Sequence, residues 1–339
     1  MQTTLLGEST VIRLIPAESM QEGTVFSPLT GVPSTPVHAI SCGDLKQAYA
    51  EHLKVDIRPY LGDLKEIQLR RCPKSGFRFY HPNRVVGDDG FYRALAMHPW
   101  YYQGEKWEFA EAVRLLPAEG QVLEVGPGKG GFIQSCLSAR PRLRVTGLEL
   151  NQEAAEAAQR MGLDVRQETL ERHAESHGQS YDAVCAFQVL EHISEPLPFL
   201  HACLRVLKPG GLLMVAVPDC TEQQPPSPLA VPEDPLNMPP HHQGLWDVPS
   251  LVFLSRILPL RLCHLGWEKV GKEAQLDNYA RHVRIGLKSQ FGGLFGRLLH
   301  SLGRPYLRAC LRSLAPFLPG HSLFAVFQHE GSGQALPEP

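Results

Sequence analysis

Residues 123–131 read LEVGPGKGG, and what this glycine loop holds decides both the fold and the chemistry of the chain. The run before it, Gln121 to Val125, is short and apolar and reads as a strand, while the residues after it open a helical pattern. A strand, a glycine turn and a helix N-terminus make a cradle of backbone amides, because glycine takes backbone angles and permits close approaches that a side chain forbids. Gly126, Gly128 and Gly131 satisfy the G-x-G-x-x-G spacing of a dinucleotide site, which alone is a weak signal. The phosphate-loop pattern fails, since Gly131 is followed by Phe132 rather than by Lys and Ser or Thr.

The discriminating residue is Glu124, at the strand tip two positions before the first glycine. A carboxylate there opposes a pyrophosphate on the following helix but favours a ligand that carries an ammonium and a sulfonium. Charge therefore points to S-adenosylmethionine, with a nicotinamide dinucleotide as the alternative. Glu149, in VTGLELN at the end of the next apolar run, is placed for ribose hydroxyls and suits either nucleoside.

Outward from the loop, short apolar runs alternate with helical patterns from about Gly120, the signature of βα repeats and a parallel sheet. The expected strands are 121–125, 143–150, 163–167, 181–187 and 211–217. Asn151 is the expected N-cap of a helix with Ala154, Ala157, Ala158 and Met161 on one side. Leu200, Cys203, Leu204 and Leu207 form a second stripe, and Lys208-Pro209-Gly210-Gly211 is expected to stop that helix.

Four segments in this order, VLEVGPGKGGF, VTGLELN, YDAVCAFQVLEHISEP and LRVLKPGGLLMVAVP, resemble the motifs of class I S-adenosylmethionine-dependent methyltransferases. The resemblance covers about Gly120 to Pro218. It implies a Rossmann-like α/β fold with a seven-stranded, mostly parallel sheet, helices on both faces and a small N-terminal cap. It further implies that Glu124, Gly126, Pro127, Gly128 and Gly130 line the methionine end of the cofactor. Glu149 and Leu150 would meet the ribose, and Glu168 and Thr169 the adenine, where the family often has an aspartate. Gln188 would face the cofactor, and Val189 to His192 would start the next helix. Glu191 and His192 have a second reading as a capping and packing pair at that helix start.

The acceptor side is expected in the proline-rich stretch Asp219 to Trp246, which leaves the fifth strand at the edge where ligands of open α/β sheets bind. His241 and His242 follow two prolines there and have the pKa range of a general base. Two other readings stand beside it: hydrogen bonding of the loop to the sheet, or metal binding with Asp219. Cys220 carries no mark of an activated thiolate. PPHH followed by a tryptophan resembles a methyltransferase subgroup associated with sugar and polysaccharide biosynthesis. The expected acceptor is accordingly a small molecule, a sugar or anionic sugar conjugate methylated on oxygen or nitrogen. A non-catalytic cofactor-binding scaffold is the remaining alternative.

The 339 residues divide on this reading into a cap at 1–115 and a methyltransferase domain at 116–330. In the cap, RRCPKSGFRFYHP (Arg70 to Pro82) resembles half of a zinc knuckle with Ser75 in place of the second cysteine, and Cys42 also lacks a partner, so no metal is expected. The aromatic HPWYYQGEKWEF at its end is expected to dock on the sheet, as contact or as interface core. Residues 281–316 read as basic amphipathic helices, either a solvated face, a cradle for an anionic acceptor, or a weak hold on an anionic membrane surface. A net charge of −2 carries no nucleic-acid signature. Eight cysteines without a C-x-x-C pair, and no apolar window of membrane length, make the cytoplasm the expected location, with peripheral contact at the inner membrane face as an option.

Overall fold

A computed structural model describes residues 12, 14–20, 23–98, 101, 106–221, 235–269, 312–313 and 319–331. The N-terminal part runs β1 (Leu14–Pro16), β2 (Thr35–Ser41), α1 (Cys42–Ala48), α2 (Arg58–Leu61), β3 (Glu66–Arg71), β4 (Arg78–His81), α3 (Asp89–Ala96) and α4 (Trp107–Leu115). The repeats follow as β5 (Glu119–Val125), α5 (Gly131–Ala139), β6 (Arg142–Leu148), α6 (Gln152–Arg160), β7 (Asp164–Arg166), α7 (Leu170–Ala174), β8 (Tyr181–Phe187), α8 (Pro196–Val206) and β9 (Leu207–Pro218). After the proline-rich stretch come β10 (Gly244–Leu245), α9 (Val248–Ile257), β11 (Leu260–Lys269) and β12 (Pro319–His329).

The larger sheet has the order β11-β12-β9-β8-β5-β6-β7. The pairs from β9 through β7 are parallel and β12 is antiparallel to both its neighbours. This is the seven-stranded, mostly parallel Rossmann-like sheet that the sequence led us to expect. Its strands are apolar on both faces because both are covered. Leu123, Val184, Ala186, Val215 and Val217 pack with Leu200, Leu204, Leu251 and Leu254 of α8 and α9. The alternate residues Val122, Ala183, Cys185, Met214 and Ala216 pack with Phe109, Phe132, Ile133 and Ala158 of α4, α5 and α6.

Local detail departs from the sequence reading in several places. Asn151 does cap α6, accepting from Ala154 N at 2.9 Å. Its buried stripe, however, is Ala154, Ala155 and Ala158, and Met161 lies beyond the helix at 52% exposure. The turn after Gln152 simply points one residue round from the expected face. Helix α8 ends at Val206, so Lys208 to Gly211 belong to the start of β9 rather than to a helix stop. Residues 190–192 form one isolated 3-10 turn, and the next α-helix begins only at Pro196, whose fixed φ suits a first helical turn. The expected basic helices at 281–316 lie outside the described residues, apart from Arg312 and Ser313. Among the described residues no helix is long and apolar enough to cross a membrane.

The second sheet has the order β1-β2-β3-β4-β10 and is antiparallel at each pairing. Its last strand comes from far along the chain: Gly244 and Leu245 pair with Phe79 and Arg78. Trp246, fully buried, seats its ring 4.3 Å from Phe77 and donates Nε1–H to Leu190 O. One residue thus fastens both sheets, and burying a ring of this size is worth several kcal/mol, about 3–5 on truncation. Facing each other in this part are two turns, Ser27 to Thr30 and Cys72 to Ser75. Thr30 Oγ1 lies 3.1 Å from Cys72 Sγ. Burial pushes the Cys72 thiol up, but hydrogen bonds from Ser75, Thr30 and Ser27 together bring it down to about 7.

Candidate active site

The glycine loop leaves β5 with left-handed backbone at three positions, φ +71° at Gly126, +54° at Gly128 and +83° at Gly130. A Cβ on Gly126 would stand 2.7 Å from Val189 Cγ2, and one on Gly130 would stand 2.3 Å from Leu163 Cδ1. The loop is therefore closed to side chains by conformation and by space. Pro127 packs over β6, so that a Cβ on Gly147 would meet its Cγ at 2.8 Å.

Glu124 is buried at 2% exposure, and its Oε2 has no hydrogen-bond partner. Burial pushes this carboxyl up to about 8, against a smaller opposing pull from Lys106. An orphaned buried carboxyl next to an amide-rich glycine turn fits a cationic ligand, which would restore its charge and supply the missing partner. S-adenosylmethionine meets that requirement. Glu149 lies one residue past β6 and accepts from Gly128 N with Oε2 and from Asn151 N with Oε1, both at 2.8 Å. The loop thus orients this carboxylate, and burial raises its pKa while those amides lower it. Leu150 beside it is 63% exposed.

The other residues expected around the cofactor are engaged within the protein. Glu168 Oε1 lies 2.8 Å from His173 Nδ1, and Thr169 caps α7 by accepting from Arg172 N. Gln188, just past β8, holds a left-handed φ of +58°, uncommon outside glycine and a mark of backbone constrained at a site. Its Nε2 donates to Glu108 Oε1 and Ser322 Oγ at 3.2 and 3.1 Å. Glu108, on α4 and buried, was not singled out in the sequence because a lone glutamate in a helix carries no pattern.

Two residues after Val189, which touches the glycine loop, Glu191 and His192 of the 3-10 turn meet His241 and His242. The rings of His241 and His242 stack at 4.4 Å, and that of His192 stands edge-on at 4.7 and 4.9 Å from them. His192 Nδ1 donates to His241 O at 2.7 Å, and His241 Nδ1 donates to Leu236 O at 2.8 Å. Burial depresses His192 to about 4 and, together with its neighbour His192, takes His241 well below the usual imidazole range. Both rings are therefore neutral near pH 7. Burial also lifts the Glu191 carboxyl to about 8, and its Oε2 has no hydrogen-bond partner.

Two tyrosines from earlier in the chain join them, Tyr101 from the aromatic stretch noted in the sequence and Tyr92, which the sequence did not single out. Tyr101 Oη lies 3.3 Å from His241 Nε2, and Tyr92 Oη lies 3.3 Å from His192 Nδ1. Two expectations are corrected. Glu191 and His192 do not begin an α-helix and so are not its capping pair. Asp219 is not grouped with the histidines; its Oδ1 accepts from Thr221 N and Oγ1, and among the described residues it is His192 that completes their cluster. Burial pushes the Cys220 thiol up to about 12, away from nucleophilic use.

Residues 123–213 match the family described as a methyltransferase domain. The ubiquinone biosynthesis O-methyltransferase of Klebsiella pneumoniae is 41% identical over 97 residues, 27% of this chain and 39% of that protein. The Salmonella arizonae protein of the same name is 40% identical over the same shares. The chain thus matches about two fifths of the length of these curated relatives. Among solved structures, a SAM-dependent methyltransferase from Archaeoglobus fulgidus is 14% identical with a TM-score of 0.48, covering 70% of this chain and 99% of that one. The sequence matches support the methyl-donor reading of the loop and give none to a nicotinamide one. The glycine turn, its buried Glu124 and the sheet order agree with that match: residues 123–213 fall within a class I S-adenosylmethionine-dependent methyltransferase domain.

Proposed function

We propose that this chain transfers the methyl group of S-adenosylmethionine to a hydroxyl oxygen of a small-molecule acceptor. The observation that carries the reading is the orphaned Glu124 carboxyl at the glycine loop, inside the segment that matches the methyltransferase domain. Glu124 would take the donor's ammonium and Glu149, oriented by the Gly128 amide, the ribose diol. Holding donor and acceptor in line can supply up to about 7–11 kcal/mol of the barrier reduction.

Oxygen as the acceptor atom is supported by the O-methyltransferases among the relatives and by the neutral imidazoles of His192 and His241. A hydroxyl must shed its proton as it attacks, and a group that assists is typically worth ~10²–10⁴-fold. His241 and His242, with His192 and Glu191, form the cluster that faces this task. A sugar or sugar conjugate as acceptor rests on the PPHH resemblance alone, whereas the relatives act in ubiquinone biosynthesis. The test is transfer of labelled methyl from S-adenosylmethionine to a panel holding sugar, nucleotide-sugar and phenolic hydroxyls. Product on one class with loss in Glu124→Gln supports the reading; a protein that binds no S-adenosylmethionine refutes it.

A further inference from the structure

We infer that His192, His241 and His242 form a binding site for a divalent transition-metal ion, with Glu191 as its anionic fourth ligand. One ring nitrogen of each histidine lies within 4.8 Å of one on each of the others, and this is the grouping of that kind among the described residues. Four-coordinate zinc with nitrogen bonds of ~2.0–2.1 Å holds its ligand atoms roughly 3.3 Å apart, so a modest closure of the cluster would complete the site.

Two features prepare it. A carbonyl oxygen can only accept, so the contacts to His241 O and Leu236 O place the protons of His192 and His241 on Nδ1. The lone pairs then sit on Nε2, and a backbone carbonyl behind a ligating imidazole is the arrangement that orients metal-bound histidines. The second is Glu191, buried, with Oε1 3.9 Å from His192 Nε2 and Oε2 without a hydrogen-bond partner. A buried carboxyl beside the His192 imidazole leaves polar capacity that a cation satisfies and a proton satisfies only in part. The Tyr101 hydroxyl, 3.3 Å from His241 Nε2, would yield that position to the ion. Nitrogen donors select zinc, cobalt, nickel or iron over magnesium or calcium.

If oxygen methylation is the reaction, the ion, expanding to five ligands or releasing Glu191, would hold the acceptor oxygen and lower its pKa; this role rests on the reading above, but the site itself does not. The test uses the full chain, stripped of metal with a chelator and titrated with Co²⁺ and Zn²⁺ in the absence of cofactor and acceptor. We expect one Co²⁺ per chain with the visible absorption of a four-coordinate, nitrogen-bound ion, displaced by Zn²⁺. Apparent affinity should fall at least roughly tenfold in His192→Ala and in His241→Ala, with circular dichroism as the folding control. Should those variants unfold, the absorption of the wild-type complex still decides. No binding, or the weak spectrum of an all-oxygen octahedral ion, overturns the proposal; if methyl transfer then survives metal removal yet falls in His241→Ala, imidazole base catalysis takes its place. Failure of methyl transfer leaves the titration unaffected, so the two readings fail separately.

Discussion

The ionisation of Glu124 should make S-adenosylmethionine binding strongly dependent on pH. Burial holds this carboxyl at about 8, so in the free protein it is protonated at pH 6 and half ionised at pH 8. If the cation binds the ionised form, the competent protein fraction rises from about 1/100 at pH 6 to 1/2 at pH 8 while the ligand's amino group, of a kind that titrates near 7.7–8.0, falls to less than about half charged, so the dissociation constant falls about 20-fold across that window. The sign follows from linkage: binding a cation pulls the carboxyl's pKa down, so binding releases a proton below pH 8 and strengthens as pH rises. Above pH 8 further loss of the ligand's charge offsets the remaining ionisation of Glu124, and the gain ends. Calorimetry in buffers of different ionisation enthalpy should find close to 0.8 proton released at pH 7, about 0.9 from a carboxyl held at about 8 less about 0.1 taken up by the ligand's amino group. Glu124→Gln should flatten the profile and weaken binding at pH 8 by roughly ten- to hundredfold, the loss of one charge-assisted contact. A flat wild-type profile, or a slope that persists in Glu124→Gln, would refute the reasoning.

Gly130→Ala combines a left-handed φ with a 2.3 Å approach to Leu163 Cδ1, and should cost about 1–3 kcal/mol in chemical denaturation as well as weakening cofactor binding. Trp246→Ala empties the contact with Phe77 and should destabilise by about 3–5 kcal/mol, with Trp246→Phe losing distinctly less; an unmoved denaturation midpoint would remove this residue from the link between the sheets. Glu191, raised from 4.5 to about 8, binds a proton in the folded state that the unfolded chain gives up, so its contribution makes the fold lose stability as pH rises through that interval. Glu191→Gln should therefore show a smaller fall in melting temperature between pH 5 and pH 8 than the wild type does.

The parts of the chain that sequence alone exposed are those governed by local pattern. Tyr181 to Phe187 was read to the residue as a strand, because its apolar run is bounded by polar turn residues and buried on both faces. Glu124, the three loop glycines and Glu149 lie within twenty-six residues, and charge with spacing sufficed to relate them. What stayed hidden depends on contacts across long stretches of chain. Tyr101 reaches His241 over 140 residues and Tyr92 reaches His192 over 100, and no periodicity links them. Strand β10 is two residues long, below the length at which alternation can be read. The misplacement of Met161 has a different source, since a helix that ends at Arg160 cannot extend its stripe one turn further.

The pairing of β10 with β4 has a bearing on how acceptor preference could be inherited or engineered. Tyr80 N donates to Gln243 O while Gln243 N donates to Glu191 O, and Tyr49 Oη donates to Met238 O. The histidine-bearing stretch is thus sewn to a sheet encoded more than 160 residues earlier. Exchanging that stretch alone between relatives would set Gly244 and Leu245 against a foreign edge and part His241 from Tyr101. The N-terminal sheet and the histidine stretch would have to recombine as one cassette, together with the turn at Leu190 to His192 that both of them touch.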